Sequence, residues 1–501
     1  MPANEAQGRG YPEAMLGIPR LAIWELTVWA VVIPATILLL LVRTVSERVQ
    51  PGLGSATAVT VGLGTLILPF STLLFSHVFS AALAFGAFVV LFREREGPSS
   101  LVRVAGAGLL AGYAVTTEYP LLLVGAGLGL YALARPDRLR RGAAYVCGLV
   151  LGVLPLALYN LWAFGSATEF SYKNVVVEPG VSGHDIVGAN DPGLYGLGVP
   201  SVRVLLELLF AAKGLFVLAP VLAAGVAGLV LLFRRGRRVE AALIGGLTAG
   251  AVLWNAGYYY AFGGWTPGPR FLITLIPFLA LPLALAYRAF PAVTLLLAGA
   301  SIVPMTAATM AEPLLQGDDT GSWFARIRDG NMVQTVVTLV GGGHGWLAVA
   351  PFLALVLVAC ALVLLGVARP QGIGLDWPTG IGALAAWALV LLAAPSLLRT
   401  DRASGEPFGA VVLVVLVVAL CLAVGRVARG RLADLLPALP LVALAVPGFA
   451  DHTKRSLAAA VAALSLLVIA EARFPRLGGG NGLAWRPPTR QPGRPRPPNR
   501  V

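Results

Sequence analysis

The side chains able to do chemistry in this sequence sit in short polar breaks between long apolar runs. The segment AFGGWTPGPRF (261–271) holds one arginine, Arg270, among a tryptophan, two prolines and three glycines. Arginine stays charged at any working pH and presents a planar fork that fits a phosphate with two parallel bonds. Pro267 and Pro269 stiffen that turn, while Gly263, Gly264 and Gly268 permit close approach. The pattern predicts a cation fixed for phosphate capture; the alternative is an arginine that opens a span and snorkels to the interface. Glu118, in TTEYP (116–120), is either an acid in the first turn of the helix opened by Pro120, worth about 0.3–1 kcal/mol there, or a carboxylate lining a cavity. His77, in LLFSHVFS (73–80), either donates to a sugar or phosphate or is an interface histidine with its bonds met. The aromatics Tyr119, Tyr159, Trp162, Tyr258, Tyr259, Tyr260 and Trp265 stand near the same breaks. Tyrosine and tryptophan are common at membrane interfaces in any case.

Other chemistries find little support. His184, His344 and His452 lie in separate loops without metal-ligand spacing, so no metal site is expected. There is no glycine-rich phosphate loop, nucleophile elbow or paired-cysteine motif, and GGGHGW (341–346) reads as a turn entering a span. No cofactor is required. Cys147, Cys360 and Cys421 all fall inside apolar runs and read as small buried hydrophobes.

The elements that position these residues follow from composition. Of 501 residues 57% are hydrophobic and 12% charged, with a mean hydropathy of +0.81. A soluble domain carries about 25% charged residues, so this is an all-α polytopic membrane chain. Apolar runs of span length occur near 21–43, 56–73, 77–93, 100–117, 119–134, 142–164, 214–233, 239–262, 270–287 and 290–311. A second group lies at about 346–367, 377–398, 408–425, 432–449 and 456–472. Some are short or nearly fused, which predicts thirteen to fifteen helices. The net charge of +13 is nearly all arginine. It reads as topology-setting charge that meets anionic lipid, and not as nucleic-acid binding.

The densest short basic loops, 93–97, 135–141 and 234–238, are expected in the cytoplasm. That places TTEYP, the loop of about 165–213, GGWTPGPR and the loop 312–345 on the outer face. Glu25, Glu118, Glu207, Lys213 and Arg270 then lie near outer span ends. The Pro/Arg-rich segment 473–501 is expected to be disordered and cytoplasmic. Residues 1–20 fall outside and lack the basic region and cleavage site of a signal peptide. They read as an outer-face stub, with a preceding span expected to be missing.

Several segments resemble bacterial GT-C membrane glycosyltransferases, in particular the protein-mannosyltransferase-like and lipopolysaccharide-sugar-transferase-like branch. They are LYNLWAFGSATEFSY (158–172), KGLFVLAPVLAAGVAGL (213–229) and GGWTPGPRFLITLIPFLALPLA (263–284), with LLFSHVFSAALAF (73–85) and GYAVTTEYP (112–120) in the same pattern. The resemblance covers roughly residues 20–300 and implies a GT-C-like core over 21–311, with additional helices over 346–472. It implies transfer of a sugar from a polyprenyl-phosphate donor to an acceptor hydroxyl of a glycolipid, glycan or protein on the outer face of the plasma membrane, with inversion. In that scheme Arg270 holds the phosphate and Glu118 is the candidate catalytic acid. His77, Tyr119, Tyr159, Asn160, Tyr172 and Trp265 line the substrate cavity. The family's catalytic acid sits in a first outer loop, and no matching Asp is recognisable here; Glu5 and Glu13 lie in no matching motif. A flippase or transporter for a lipid-linked glycan, and a non-catalytic membrane partner, are the competing readings.

Overall fold

The computed structural model describes residues 20–169, 197–315 and 320–368. Within them the chain is helical and holds no strand, apart from a single bridge between Leu197 and Tyr258. Among the described residues, seven helices are long and apolar enough to cross a membrane. An eighth crossing arises if the pair Val202–Leu218 and Val221–Arg234, bent by 92°, is one span. Three shorter apolar helices join them. The protein is thus an integral membrane protein of many spans. Each apolar run expected before residue 368 falls on helix, but the run 56–73 is divided between Gly54–Leu63 and Ile67–Phe70, and the run 214–233 crosses the 92° break of a pair that begins at Val202, inside the expected loop 165–213. The expected spans at 377–398, 408–425, 432–449 and 456–472, the tail 473–501 and all of the stub 1–20 except Arg20 lie outside the described residues.

The chain enters through α1 (Arg20–Thr27), a π-helical turn (Val28–Val32) and α2 (Ile33–Val49). It returns in α3 (Gly54–Leu63) and the single turn α4 (Ile67–Phe70). Next come α5 (His77–Glu96), α6 (Leu101–Thr117), α7 (Leu122–Ala132) and α8 (Arg138–Phe164). Then follow α9 (Val202–Phe210), α10 (Leu215–Leu218), α11 (Val221–Arg234) and α12 (Arg238–Gly257). A 3-10 helix (Arg270–Leu279) runs into α13 (Ala280–Ala289), and α14 (Pro291–Ala311) turns back. The segment 312–345 is an expected loop that carries two short helices, α15 (Gly321–Arg328) and α16 (Val336–Gly341), before α17 (Trp346–Ala368).

The two most enclosed spans are α5 and the Arg270–Ala289 pair. Phe85 and Phe88 of α5 meet Phe278 at centroid distances of 5.4 and 5.5 Å, so an aromatic seam joins them. The span that opens at Arg270 differs from the expected α-helix, because its first ten residues are wound as a 3-10 helix. Pro277 lacks the N–H that an α-helical bond to Ile273 would need, and its ring would press on that carbonyl. Helix α8 lies at the periphery and is bound to α6 by glycines. A Cβ on Gly108 or Gly112 would strike the carbonyl oxygens of Tyr145 and Leu149, and one on Gly148 or Gly152 those of Ala105 and Leu109. This is close backbone contact of the small-xxx-small kind, which lets helices associate where no hydrophobic drive exists between them.

The peripheral positions of α8, which carries Cys147, and α17, which carries Cys360, correct one expectation. Cys147 is exposed and Cys360 is half-buried. A span bathed in lipid is apolar on every side, so an apolar run does not mark which residues face inward. Cys421 lies outside the described residues.

The three arginine-rich turns share one end of the bundle, held by carboxylates. Glu94, fully buried, accepts two bonds of 2.8 Å from the Arg141 guanidinium and one of 3.2 Å from Arg135. Glu96 pairs with Arg48 and Arg237, and Glu240 with Arg95. His77, Glu118 and Arg270 lie at the opposite end.

Candidate functional site

The site is built on the first turn of α5. Ser76 is its N-cap residue and His77 its first helical residue. The chain of α6 ends at Glu118, whose backbone N–H reaches Ala114 and whose carbonyl accepts from Leu121 at the head of a short 3-10 turn, Tyr119–Leu121. The Glu118 side chain does not serve its own helices. Its Oε1 accepts from His77 Nδ1 at 2.6 Å and from the hydroxyls of Ser76 and Ser80, each at 2.9 Å. The carboxylate therefore sits at the N-terminus of α5, where the helix dipole favours a negative charge. The expected role in the helix that Pro120 opens is not the one seen, since the Glu118 side chain makes no capping bond there and turns to α5 instead.

Burial pushes the Glu118 carboxyl up. The His77 imidazole beside it, together with the bonds from His77, Ser80 and Ser76, outweighs burial and holds it below the ordinary value. The group is an anion locked by donors.

His77 is itself wrapped in rings. It stacks on Phe75 at 5.8 Å and meets the edges of Phe70 and Phe271 at 5.5 and 5.8 Å. Its Nε2 is buried and has no hydrogen-bond partner. Arg270 joins the same cluster from the far side of the sequence. Its guanidinium carbon lies 5.3 Å from the ring centroids of both Phe75 and Phe271, within cation–π range. Phe75 and Phe271 thus each touch both His77 and Arg270.

The turn that carries Arg270 is stiff for legible reasons. Gly263 has φ +85° and Gly264 φ +89°, values that side chains rarely adopt. A Cβ on Gly263 would overlap the Arg270 side chain, and one on Gly264 the Tyr260 hydroxyl. Thr266 is buried, donates its hydroxyl to the Gly268 carbonyl at 2.7 Å, and bonds through its N–H to Leu315 at 3.3 Å. Buried Lys213 donates to the same Leu315 carbonyl at 3.2 Å.

No family model, curated protein or solved structure matches this chain. The site is therefore read from its own geometry.

Of the residues expected to act together, Glu118 and His77 are in direct contact, and Arg270 joins them only through Phe75 and Phe271, the rings that also touch His77. Tyr119, half-buried, follows Glu118 directly, and Trp265 is exposed on the Arg270 turn. Tyr159 stands apart, half-exposed on α8 and packed on Trp162 and Phe164. Asn160 is buried and its Oδ1 has no hydrogen-bond partner. Thr116 of α6 bonds the Gly152 carbonyl of α8. Since α6 ends one residue later, Tyr159 projects about 10 Å beyond that level at 1.5 Å per residue. Tyr172 lies outside the described residues. Sequence reasoning missed Ser76, Ser80, Phe70, Phe75 and Phe271. The S-H-x-x-S spacing at a helix start was the available signal for the two serines. The described residues hold no group of three or more His, Cys, Asp or Glu able to bind a metal.

Proposed function

We propose that this protein is a membrane glycosyltransferase that moves a sugar from a polyprenyl-phosphate donor to an acceptor hydroxyl on the outer face of the bacterial plasma membrane. One observation supports the reading above others: a rigidly held arginine and a buried carboxylate–imidazole pair share two phenyl rings at one end of the bundle. Arg270 binds the donor phosphate. The acceptor hydroxyl attacks the anomeric carbon from the face opposite that phosphate. A new carbon–oxygen bond forms, the bond to phosphate breaks, and polyprenyl phosphate leaves with the electron pair. A cation matters more than a general acid for such a leaving group. The hydroxyl proton passes to the Glu118–His77 pair, in the role that the resemblance gives to an acid of the first outer loop.

The test is labelled-sugar transfer by membranes carrying Arg270→Ala, supplied with radiolabelled polyprenyl-phosphate hexoses. Removing one preorganised charge donor costs about 10²–10³ in rate, and a loss of that size is expected. Unchanged transfer rejects the phosphate clamp. A second reading, transport of a lipid-linked glycan, is favoured by the 92° break before α11 and by the 3-10 entry at Arg270, since transporters use discontinuous helices at their sites. Movement of the labelled lipid across sealed vesicles without any new glycosidic bond selects that reading instead.

A further inference from the structure

At the end of the bundle opposite His77, a concavity of about 530 Å³ opens between α2, α5 and the start of α6. Arg48, Arg93, Arg103, Glu96, Gly97 and Val90 line it. We infer that this groove holds the phosphate-bearing headgroup of one anionic membrane lipid.

The charge balance is the first support. Glu96 is the groove's one carboxylate, and it is already engaged by Arg48 at 3.2 Å and by Arg237 at 2.8 Å. The next acid on the helix, Glu94, is turned inward and held by Arg141 and Arg135. Among the described residues, Arg93 and Arg103 therefore have no acidic partner, although each lines the same concavity. Two uncompensated guanidinium groups around one cavity attract a phosphate, which each can grip with two parallel bonds.

Position selects a lipid over a free anion. Arg93 falls in the last turn of a membrane span and Arg103 in the first turn of the shorter apolar helix that follows it, so both stand at the span end, where headgroups lie. Val90, one turn deeper on α5, continues the groove toward the bilayer as an apolar wall. Leu101 and Val102, the latter 82% exposed, precede Arg103 on α6 and give that helix start apolar surface suited to acyl chains. Gly97 has no side chain to block the headgroup on the loop side. A volume of this size falls within the usual range for small-ligand pockets. Basic pockets between spans are a known way to hold acidic headgroups.

The test uses the full-length protein purified in detergent and then placed in micelles doped with phosphatidylcholine or phosphatidylglycerol, with bound lipid counted by native mass spectrometry. Wild type is expected to retain phosphatidylglycerol in preference to phosphatidylcholine. The double variant Arg93→Gln/Arg103→Gln is expected to lose that retention by tenfold or more. The double variant Arg138→Gln/Arg140→Gln removes the same charge from exposed positions at the same end, outside the groove, and is expected to retain the lipid as wild type does. Equal loss in both double variants, or loss in neither, overturns the site. Displacement of phosphatidylglycerol by millimolar inorganic phosphate overturns the lipid assignment and gives the groove to a free anion.

Discussion

The Nδ1 atom of His77 lies 2.6 Å from Oε1 of Glu118, and that contact joins the first turn of α5 to the turn that closes α6. A carboxylate only accepts, so Nδ1 carries the proton. The side chains are 6% and 12% exposed, so each shields the other from lipid and water alike. Removing one member of such a pair leaves the other buried without its partner, at about 3–5 kcal/mol. Glu118→Gln and His77→Gln are each expected to destabilise the protein strongly in detergent unfolding. The double variant is expected to cost less than the two singles together, with a coupling of about 1–3 kcal/mol. Strictly additive costs would mean that the two residues do not act as a pair.

The same carboxylate sets a pH dependence. Its folded value lies below the ordinary 4.5, because the imidazole and the hydroxyl donors outweigh the upward push of burial. A carboxyl whose value is lowered on folding adds stability in full above its unfolded value and loses it as the pH falls through the folded one. The gap in unfolding midpoint between wild type and Glu118→Gln is therefore expected to narrow below pH 4.5. Midpoints measured from neutral pH down to about pH 3 follow that closure. A gap that stays constant throughout contradicts an ionised Glu118 in the folded state.

The glycines between α6 and α8 give a sharper stability contrast. A Cβ on Gly112 would meet the backbone of Leu149, which cannot swing aside as a side chain can. Gly106 lies on the same helix with nothing within 4 Å of its would-be Cβ. Gly112→Ala is expected to lose about 1–3 kcal/mol through forced separation of the helices. Gly106→Ala is expected to gain about 0.5–1 kcal/mol from the lower entropy cost of alanine in a helix. Thermal unfolding of the two variants side by side gives the signs. Equal behaviour would mean that the two helices are not seated on their glycines.

The spans were legible in the sequence because each needs some twenty apolar residues in a row, and the runs up to residue 368 fall on helix. Rotation about each helix axis was not legible. Cys147 and Tyr159 lie in runs that are apolar on every side, and only packing turns them outward. Arg270 was visible as a cation in a stiff turn, and His77 and Glu118 as polar breaks. Their meeting was not, since Phe75 and Phe271, which join them, read as two more apolar residues. The groups with a local rule behind them, such as the positive-φ glycines of the turn, could be found. Those placed by long-range packing could not.

Gly263 offers the cleanest way to separate backbone strain from the placement of Arg270. Gly52 and Gly263 have nearly the same backbone angle, φ +86° and +85°. A Cβ on Gly52 would meet nothing within 4 Å, whereas one on Gly263 would push into the Arg270 side chain. Alanine in a left-handed conformation costs about 1–2 kcal/mol, so both variants should lose a similar amount of stability. Only Gly263→Ala should disturb the guanidinium held between Phe75 and Phe271. A short-chain polyprenyl phosphate is expected to raise the unfolding temperature of wild type and Gly52→Ala by the same amount, and to raise that of Gly263→Ala by much less. If both alanine variants respond alike, the contact between Gly263 and Arg270 does not govern phosphate binding, and the stiffness of the turn has another purpose.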